Sequence, residues 1–488
     1  MRFDLETITS ALEREGLLVR INGDLPRSFD GIADDSRQVN GGSLFIAVKG
    51  SVRDGHDYLD RAAALGAAAA MVEDASRTSL PTIVVREGRK AAAAAAAAAF
   101  GDPSHELRMI GITGTNGKST TAGILRHLLD RPGSRAASIG TLGVLFGSAA
   151  DVVPGGSELT TPGPVELQRV LRELVNRGVK TVAMEVSSHS LDQRRIDGLS
   201  FDAAVFTNLT RDHLDYHGTM ENYFAAKARL IEYLKPDGTA AVNIDDRNWE
   251  MLPETRRKIP FGISARAKVR GTDVVFSPRG SSWNLHHAGE QAHVTLPLIG
   301  DVNVHNALGA AAVGITFGLS LDEIARSLAH LPQVPGRLEV ISHDPTVLRD
   351  YAHTPDAIER ALAAIRPFTS GRLILVFGCG GDRDRGKRPE MGHAAEAGAD
   401  LVIITNDNPR TEDPEQILDD IENGMTPGRH ERITKRKAAI QRALHEARDG
   451  DVILLAGKGH ETYQIIGTTK LPFDEKAIVR ELLAGSAA

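Results

Sequence analysis

A glycine-rich turn that leads into a lysine and two hydroxyl residues is the part of this sequence best suited to chemistry. The apolar run at 109–112 predicts a buried strand before the turn, and the helical spacing of 119–129 predicts a helix after it. Backbone N–H groups in such a turn, together with the positive end of the helix dipole, favour phosphate. Lys118 is then expected to reach the outer phosphates of a nucleotide, and the Ser119 hydroxyl to contact Mg²⁺. The residues concerned are Gly114, Thr115, Asn116, Gly117, Lys118, Ser119 and Thr120.

The spacing of this motif departs from that of the usual phosphate loop, G-x-x-x-x-G-K-S/T. The first glycine of that pattern would fall on Ile112, whereas this sequence has Gly111 and Gly114. An ordinary strand-to-helix turn is therefore the alternative for the motif taken alone. The strand predicted before it and the helix predicted after it favour a nucleotide site.

Polar residues also follow two further predicted strands, at 179–184 and 203–207. Glu185 and Ser187 follow the first, and Asn208 and His213 follow the second. Because ligands of open α/β sheets bind at the carboxyl ends of strands, these side chains are expected to converge with Ser119. A carboxylate, an imidazole and a hydroxyl suit a Mg²⁺ ion that keeps water and phosphate oxygens as its other ligands. Taken singly, Glu185 could cap a helix and His213 could lie on the surface.

Composition limits the class of protein. A chain of 488 residues exceeds one hydrophobic core, and about three domains are expected. The net charge of -7 argues against a general binder of nucleic acid or of membrane surfaces. The single cysteine, Cys379, excludes an internal disulfide and a cysteine-rich metal site. No apolar run approaches the ~18 residues of a spanning helix, and a secretory pattern is missing, so a cytoplasmic protein without membrane insertion is expected.

Alternating strand and helix patterns predict an α/β fold with three domains, at 1–103, 104–335 and 336–488. An alanine-rich helix at 91–99 precedes the first boundary, and the second domain is expected to contain a mainly parallel sheet. In the third domain, polar loops follow predicted strands, which indicates a second ligand site. These strands are 373–377, 401–405 and 452–456. The glycines at 378–381 lack the G-x-G-x-x-G spacing, which excludes an NAD-binding fingerprint.

Lys227 lies in a segment with helical spacing, 223–230, among small apolar neighbours. From these residues alone, it is interpreted as a helix lysine whose tip reaches the surface.

In combination, these motifs resemble the Mur ligase family. The resemblance covers essentially the whole chain and rests on five segments, 114–119, 185–189, 208–213, 336–337 and 350–353. Within the family, the chain most resembles the members that add meso-diaminopimelate to UDP-N-acetylmuramoyl-L-alanyl-D-glutamate in peptidoglycan precursor synthesis. It implies an N-terminal UDP-binding domain, a central ATPase domain and a C-terminal Rossmann-like domain with amino-acid and adenosine contacts.

The resemblance assigns the remaining site residues in four groups. ATP is expected to contact 114–120 and, at adenine and ribose, Asn306, Arg337 and Asp350. Mg²⁺ is expected near Ser119, Glu185, His213 and Lys227, the last as a carbamate formed with CO₂, with Lys118, Lys227 and His213 as the catalytic residues. The UDP substrate is expected to contact Asp34, Ser36, Ser51, Val52, Arg53, Thr160, Thr161, Ser187, Gln193 and Arg195. The incoming amino acid is expected to contact Arg383, Asp407, Asn408, Pro409, Arg410, Gly457 and Glu461.

Asp34 stands where some relatives have an apolar residue, so this predicted uridine contact departs from the family pattern. Arg410 is the candidate for binding the distal carboxylate of the diamino acid, and the alternative is a surface ion pair with Glu412.

The implied reaction is amide formation through an acyl phosphate. The D-glutamate γ-carboxylate attacks the ATP γ-phosphate, and the amine of the incoming amino acid then displaces phosphate. The implied partners are small molecules only, and a monomer is expected. Three alternatives remain: a lysine-adding member of the family, a relative of folylpolyglutamate synthetase, and an ATP-binding module that does not ligate. The loops at Asp407 and Gly457, with Arg383, count against the last.

Overall fold

The structure, a computed structural model, describes residues 2–50, 53–154, 159–277 and 279–486. Ser51 and Val52, two of the predicted uridine contacts, lie outside these residues. The chain forms two compact units, Met1–Val269 with Gly309–Leu319, and Arg270–Leu308 with Ser320–Ala488. Within the described residues, no helix combines the length and the apolar character that crossing a membrane requires.

The N-terminal part of the first unit is a five-stranded sheet covered by helices. Its strands run in the order β2-β7-β6-β5-β4, parallel except for β2. The predicted alanine-rich helix is α3, whose buried alanines pack among larger apolar side chains such as Phe3 and Phe100. The elements are β1 (Phe3–Asp4), α1 (Leu5–Arg14), β2 (Leu18–Asn22), β3 (Ser28–Phe29), β4 (Gly31–Ala33), β5 (Ser43–Ile46), α2 (Leu59–Ala64), β6 (Ala69–Val72), β7 (Thr82–Val85) and α3 (Gly88–Ala99).

The rest of the first unit contains strands in the order β11-β10-β9-β12-β8-β13-β14-β15, with every pair from β9 to β15 parallel. The elements are β8 (Arg108–Thr113), α4 (Lys118–Leu129), β9 (Arg135–Gly140), β10 (Gly143–Phe146), β11 (Asp151–Val152), α5 (Pro164–Asn176), β12 (Val179–Glu185), α6 (Ser188–Asp192), β13 (Phe201–Phe206), α7 (Leu214–His217), α8 (Met220–Ala228), β14 (Leu234–Asn243) and β15 (Lys258–Gly262). The strands predicted at 109–112, 179–184 and 203–207 are therefore neighbours, with β8 between β12 and β13.

The second unit contains an antiparallel meander, β16–β18, and a six-stranded sheet in the order β19-β20-β24-β21-β22-β23. The elements of this part of the chain are β16 (Val269–Ser277), β17 (Gly280–His287), β18 (Glu290–Leu296), α9 (Asp301–Thr316), α10 (Leu321–Ala329), β19 (Glu339–His343), β20 (Thr346–Asp350), α11 (Pro355–Ile365), β21 (Leu373–Phe377), α12 (Lys387–Gly398), β22 (Leu401–Ile404), α13 (Pro414–Glu422), β23 (His430–Arg432), α14 (Arg436–Glu446), β24 (Val452–Ala456), β25 (Tyr463–Ile466), β26 (Thr469–Pro472) and α15 (Glu475–Ser486). Of these residues, Val269 and the part of α9 from Gly309 onwards belong to the first unit.

The six-stranded sheet is parallel from β20 to β23 and buried on both faces. Apolar side chains of α11, α12 and α13 pack on one face, and those of α14 and α15 on the other. Burial on both sides explains the continuous apolar runs that predicted β21, β22 and β24. The α/β class is thus confirmed, whereas the boundaries at 103/104 and 335/336 stay predictions.

Candidate active site

The predicted phosphate loop joins β8 to α4. Gly114 and Gly117 both have positive φ, at 150° and 84°. A Cβ atom at Gly114 would overlap the Thr207 hydroxyl, so only glycine fits there. Because α4 begins at Lys118, the loop lies at the positive end of that helix, which favours an anion.

Residues that follow β13 hold this loop in place. The Thr207 hydroxyl donates to the Asn116 carbonyl oxygen at 2.7 Å. The Asn208 carbonyl accepts from the Thr115 N–H at 2.7 Å, and the Asn208 side-chain oxygen accepts from the Asn116 N–H at 2.9 Å. Asn208 therefore lies at the site, as predicted, and its side chain fixes the backbone that would surround a phosphate.

Lys227 is buried, with 1% of its surface exposed, so the interpretation of a surface-reaching tip is wrong. Its Nζ donates to the Gly114 carbonyl oxygen at 2.8 Å and lies 4.6 Å from the centre of the Tyr223 ring. Lys118 Nζ donates to the Gly114 and Thr115 carbonyls at 2.9 and 2.8 Å. Burial, and then repulsion from Lys118, hold the pKa of Lys227 well below its usual range.

Glu185 and Ser119, two of the predicted metal ligands, are buried at the carboxyl edge of the sheet. Glu185 ends β12 in register with Ile112 of β8, and it accepts from the Thr141 N–H at 2.9 Å and from the Thr141 hydroxyl at 3.2 Å. The described residues contain no group of three or more His, Cys, Asp or Glu side chains arranged to hold a metal. A hydroxyl and a carboxylate still suit Mg²⁺, since this ion takes most of its ligands from water and phosphate oxygens.

His213, the third predicted ligand, belongs to a group of aromatic side chains that sequence reasoning missed. Its ring centre lies 4.8 Å from that of His189, which in turn lies 4.3 Å from that of Tyr216. Burial, followed by repulsion from His213 and His217, lowers the pKa of His189 to about 4. The signal available in the sequence was the close spacing of His213, Tyr216 and His217, although His213 itself precedes α7 and has φ +53°.

The predicted muramoyl-peptide residues form a connected network in the first unit. The Arg195 guanidinium donates to the Thr161 carbonyl at 3.1 Å and to the Gln193 side-chain oxygen at 2.6 and 3.0 Å. The Thr161 hydroxyl donates to the Glu185 carbonyl at 2.9 Å and lies 3.3 Å from the Ser187 hydroxyl. Thr160 joins this network through Thr141. The Thr141 hydroxyl is within hydrogen-bond distance of both the Thr160 hydroxyl and the Glu185 carboxylate, at 3.2 Å each.

Asp34, in the N-terminal part of the first unit, contacts the start of α5. The Val165 N–H, at the start of α5, donates to the Asp34 carboxylate, and burial raises the pKa of Asp34 to about 6. Ser36 is buried in the turn that follows β4, whereas Arg53 is exposed. Asp34 therefore contacts a helix N-terminus, a role that an apolar residue could not take.

Two of the predicted adenosine contacts, Arg337 and Asp350, lie near each other. Asp350, at the end of β20, accepts from the Leu338 and Ala352 N–H groups at 2.7 and 2.8 Å. Burial raises the pKa of Asp350, and the nearby Arg337 opposes that shift. Asn306 instead hydrogen-bonds Asn303 on α9 at 3.2 Å.

The loops that follow β21, β22 and β24 bring together most of the predicted amino-acid contacts. The Arg410 guanidinium donates to the Gly381 carbonyl at 2.8 Å, and the Gly381 N–H donates to the Asn408 carbonyl at 2.9 Å. A Cβ atom at Gly381 would overlap the Pro409 carbonyl, so glycine allows these loops to approach each other. The Asn408 side chain donates to Glu461 at 2.8 Å. Asp407 and Gly457 lie in the same loops, and Arg383 is exposed.

The alternative of a surface ion pair between Arg410 and Glu412 is wrong. Glu412 instead pairs with Arg388 and Arg385, each at 2.9 Å. The fully buried Arg388 lowers the pKa of Glu412 to about 2. Arg410 adopts φ +52° and hydrogen-bonds the neighbouring loop, so its guanidinium is fixed at the predicted amino-acid site.

Comparisons with known proteins agree with this layout. The Mur ligase middle-domain model matches residues 112–314, the Mur ligase glutamate ligase domain matches 336–459, and the Mur ligase family catalytic domain matches 28–114. The chain is 45% identical to UDP-N-acetylmuramoyl-L-alanyl-D-glutamate--2,6-diaminopimelate ligase of Geobacter sulfurreducens, over 94% of this chain and 95% of the relative. It is 40% identical to the Bacillus cereus protein of the same name, over 99% and 98%.

Two solved structures also resemble this chain. A structure of a 2,6-diaminopimelate ligase of that name covers all of this chain, and all of its own, with 34% identity and a TM-score of 0.68. Folylpolyglutamate synthase of Mycobacterium tuberculosis complexed with ADP covers 75% of this chain and 91% of its own at 20% identity, with a TM-score of 0.63. At that identity, the second likeness shows the fold alone.

Proposed function

The chain belongs to the Mur ligase family and has its three-domain α/β fold, and on this basis we propose that it joins meso-2,6-diaminopimelate to UDP-N-acetylmuramoyl-L-alanyl-D-glutamate, with cleavage of ATP to ADP and phosphate. The observation that carries the proposal is identity of 40–45% over nearly the full length of relatives named for this reaction. The domain boundaries proposed are 1–103, 104–335 and 336–488.

The first step is assigned to the first unit. The γ-carboxylate of D-glutamate attacks the γ-phosphorus of ATP, so an O–P bond forms and the bond to ADP breaks. The loop at 114–120 would bind the phosphates through its N–H groups, and Lys118 would stabilise the charge on the transferred group. The network of Thr161, Ser187, Gln193 and Arg195 would orient the peptide carboxylate. Mg²⁺, when held by Ser119, Glu185 and His213, would neutralise phosphate charge.

We propose that Lys227 carries a carbamate, which would supply an anionic oxygen ligand for the metal. Formation of the carbamate joins Nζ to the carbon of CO₂ and releases one proton. The neutral amine is the reactive form, and burial beside Lys118 favours that form. The product is an anion, so repulsion between Lys118 and Lys227 becomes attraction.

The second step is assigned to the amino-acid site of the second unit. The amine of the incoming amino acid attacks the acyl carbon, phosphate leaves with the bonding electrons, and the amine loses a proton. Arg410 is proposed to bind the distal carboxylate, for which its planar fork is suited. Asp407 and Glu461 would receive the distal ammonium.

The test is a ligation assay with purified protein, ATP and the UDP-linked dipeptide, offering meso-diaminopimelate, L-lysine or no amino acid. Release of ADP and the mass of the UDP product are both measured. The expected product carries diaminopimelate, with kcat/KM at least about 30-fold above that for lysine. Equal values for the two amino acids would support the lysine-adding alternative, and ATP hydrolysis without a product would support a module that does not ligate.

A further inference from the structure

Lys458 is a fully buried lysine to which the reaction described above gives no role. It follows β24 and has 0% of its side chain exposed. Its Nζ lies 3.1 Å from the Asn408 side-chain oxygen, 3.2 Å from a Glu461 oxygen and 3.9 Å from an Asp407 oxygen. All three of these partners are proposed amino-acid contacts.

The hydrogen bonds of Asn408 indicate that Lys458 fixes the orientation of the Asn408 side chain. The Asn408 side-chain oxygen accepts from Lys458 and also from the Ile465 N–H at 2.9 Å. An amide oxygen has two lone pairs, so these two donors saturate it. The amide nitrogen of Asn408 must then face Glu461, to which it donates at 2.8 Å. The oxygen of Asn408 is thereby engaged within the protein, and the residue orients Glu461.

The charges of this group also depend on Lys458. Asp407 and Glu461 contribute two carboxylates, and Lys458 contributes one cation close to both. Buried charges require partners, and a charge-assisted hydrogen bond is stronger than a neutral one. Asp407, Glu461 and Lys458 together carry one net negative charge, which favours binding of one ammonium group of the incoming amino acid.

We propose that Lys458 is a positioning residue of the amino-acid site. It holds Asn408 and Glu461 in the arrangement that receives the ammonium end of the substrate, without touching the substrate itself. This inference rests on the proposed function and deepens its second step.

The experiment compares wild type with Lys458→Met, which removes the cation but keeps the apolar stem, and with Lys458→Gln, which keeps N–H donors without charge. Lys437→Met is the matched control, because it removes a lysine ion pair with Glu481 on the exposed face of the same unit. KM is measured for meso-diaminopimelate and for ATP. Acyl-phosphate formation without amino acid is followed by positional isotope exchange in ATP.

Lys458→Met is expected to raise the KM for meso-diaminopimelate about 10-fold or more, with the KM for ATP and the exchange rate within about 2-fold of wild type. For Lys458→Gln, the KM for meso-diaminopimelate is expected to lie between the values of wild type and Lys458→Met. Lys437→Met is expected to match wild type. An unchanged KM for the amino acid in both Lys458 variants overturns the inference. Impairment of equal size in the KM for meso-diaminopimelate, the KM for ATP and the exchange rate also overturns the inference, because it indicates a general structural role.

Two further results are decisive. If Lys458→Met does not fold, the KM of Lys458→Gln alone decides, with a rise of about 3-fold or more supporting the inference and an unchanged value rejecting it. If wild type itself fails to ligate diaminopimelate, the proposed function fails and this inference falls with it. An active wild type with unaffected variants rejects only the role of Lys458.

Discussion

Lys118 and Lys227 donate to one and the same backbone carbonyl, that of Gly114, from 2.9 and 2.8 Å. They come from α4 and α8, which are separated by about a hundred residues of sequence. Two cations at one acceptor repel each other, and burial adds to the cost of charging Lys227. The phosphate loop and the proposed carbamate are therefore physically linked through this carbonyl oxygen.

The first prediction concerns Lys227. Lys227→Ala is expected to lower the ligation rate at least about 100-fold while the protein stays folded, because it removes the anion proposed to hold the metal. Short carboxylic acids are expected to restore part of the rate by supplying the missing carboxylate. Lys180→Ala, at an exposed position of β12, is the control. Near-normal turnover of Lys227→Ala without added acid would contradict the carbamate.

The second prediction separates Lys118 from substrate binding. Lys118→Ala is expected to slow acyl-phosphate formation about 100-fold or more, because a cation at the transferred phosphate stabilises the transition state. Binding of the UDP substrate is expected to change less than about 3-fold, since its proposed contacts are other residues. Positional isotope exchange and calorimetric titration measure the two effects. Unchanged exchange would reject the assignment of Lys118.

The sequence predicted the local elements of these sites better than their tertiary contacts. The strand bounds at 373–377 and 452–456 agree with β21 and β24, because apolar runs bounded by turn residues identify buried strands. The tip of Lys227 was placed wrongly, since its partner, Gly114, lies 113 residues earlier in the chain. Arg388 was missed for the same reason, as its partners Glu412 and Asp420 are 24 and 32 residues away.

The third prediction uses the pH dependence of stability at Asp34. Burial raises the pKa of this carboxyl to about 6, so its ionised form destabilises the folded state. This destabilisation is absent below the pKa of Asp34 in the unfolded chain, about 4, and reaches its full size above the pKa in the folded protein. Asp34→Asn is therefore expected to be the more stable protein at pH 8, by at most about 3 kcal/mol, with the difference shrinking towards pH 4.

Thermal unfolding of both proteins between pH 5 and 8 tests this prediction. Asp24→Asn, which alters an exposed carboxylate in the same part of the chain, is the control and is expected to show no such trend. A difference between wild type and Asp34→Asn that does not vary with pH would mean that the carboxyl stays ionised in the folded protein throughout this range.

The last prediction concerns the choice of amino acid. Meso-diaminopimelate differs from L-lysine by a second carboxylate at the far end of its side chain, and a site that selects it needs a fixed cation there. Arg410 meets this condition, because its hydrogen bond to the Gly381 carbonyl fixes the guanidinium and Glu412 is engaged by Arg388. Losing a charge-assisted bidentate contact costs about 2–4 kcal/mol, equivalent to ~30- to 1,000-fold in kcat/KM.

Arg410→Ala is therefore expected to lower kcat/KM for meso-diaminopimelate by that factor and to leave the value for L-lysine nearly unchanged, since lysine has no distal carboxylate to lose. The KM for ATP is expected to stay within about 3-fold of wild type. Steady-state kinetics with both amino acids measure the effect, and Arg429→Ala, which removes an exposed arginine 3.8 Å from Glu396, is the control. Equal losses for the two amino acids would mean that Arg410 supports the loop without reading the carboxylate, and the source of selectivity would then have to be Arg383 or another cation of the same loops.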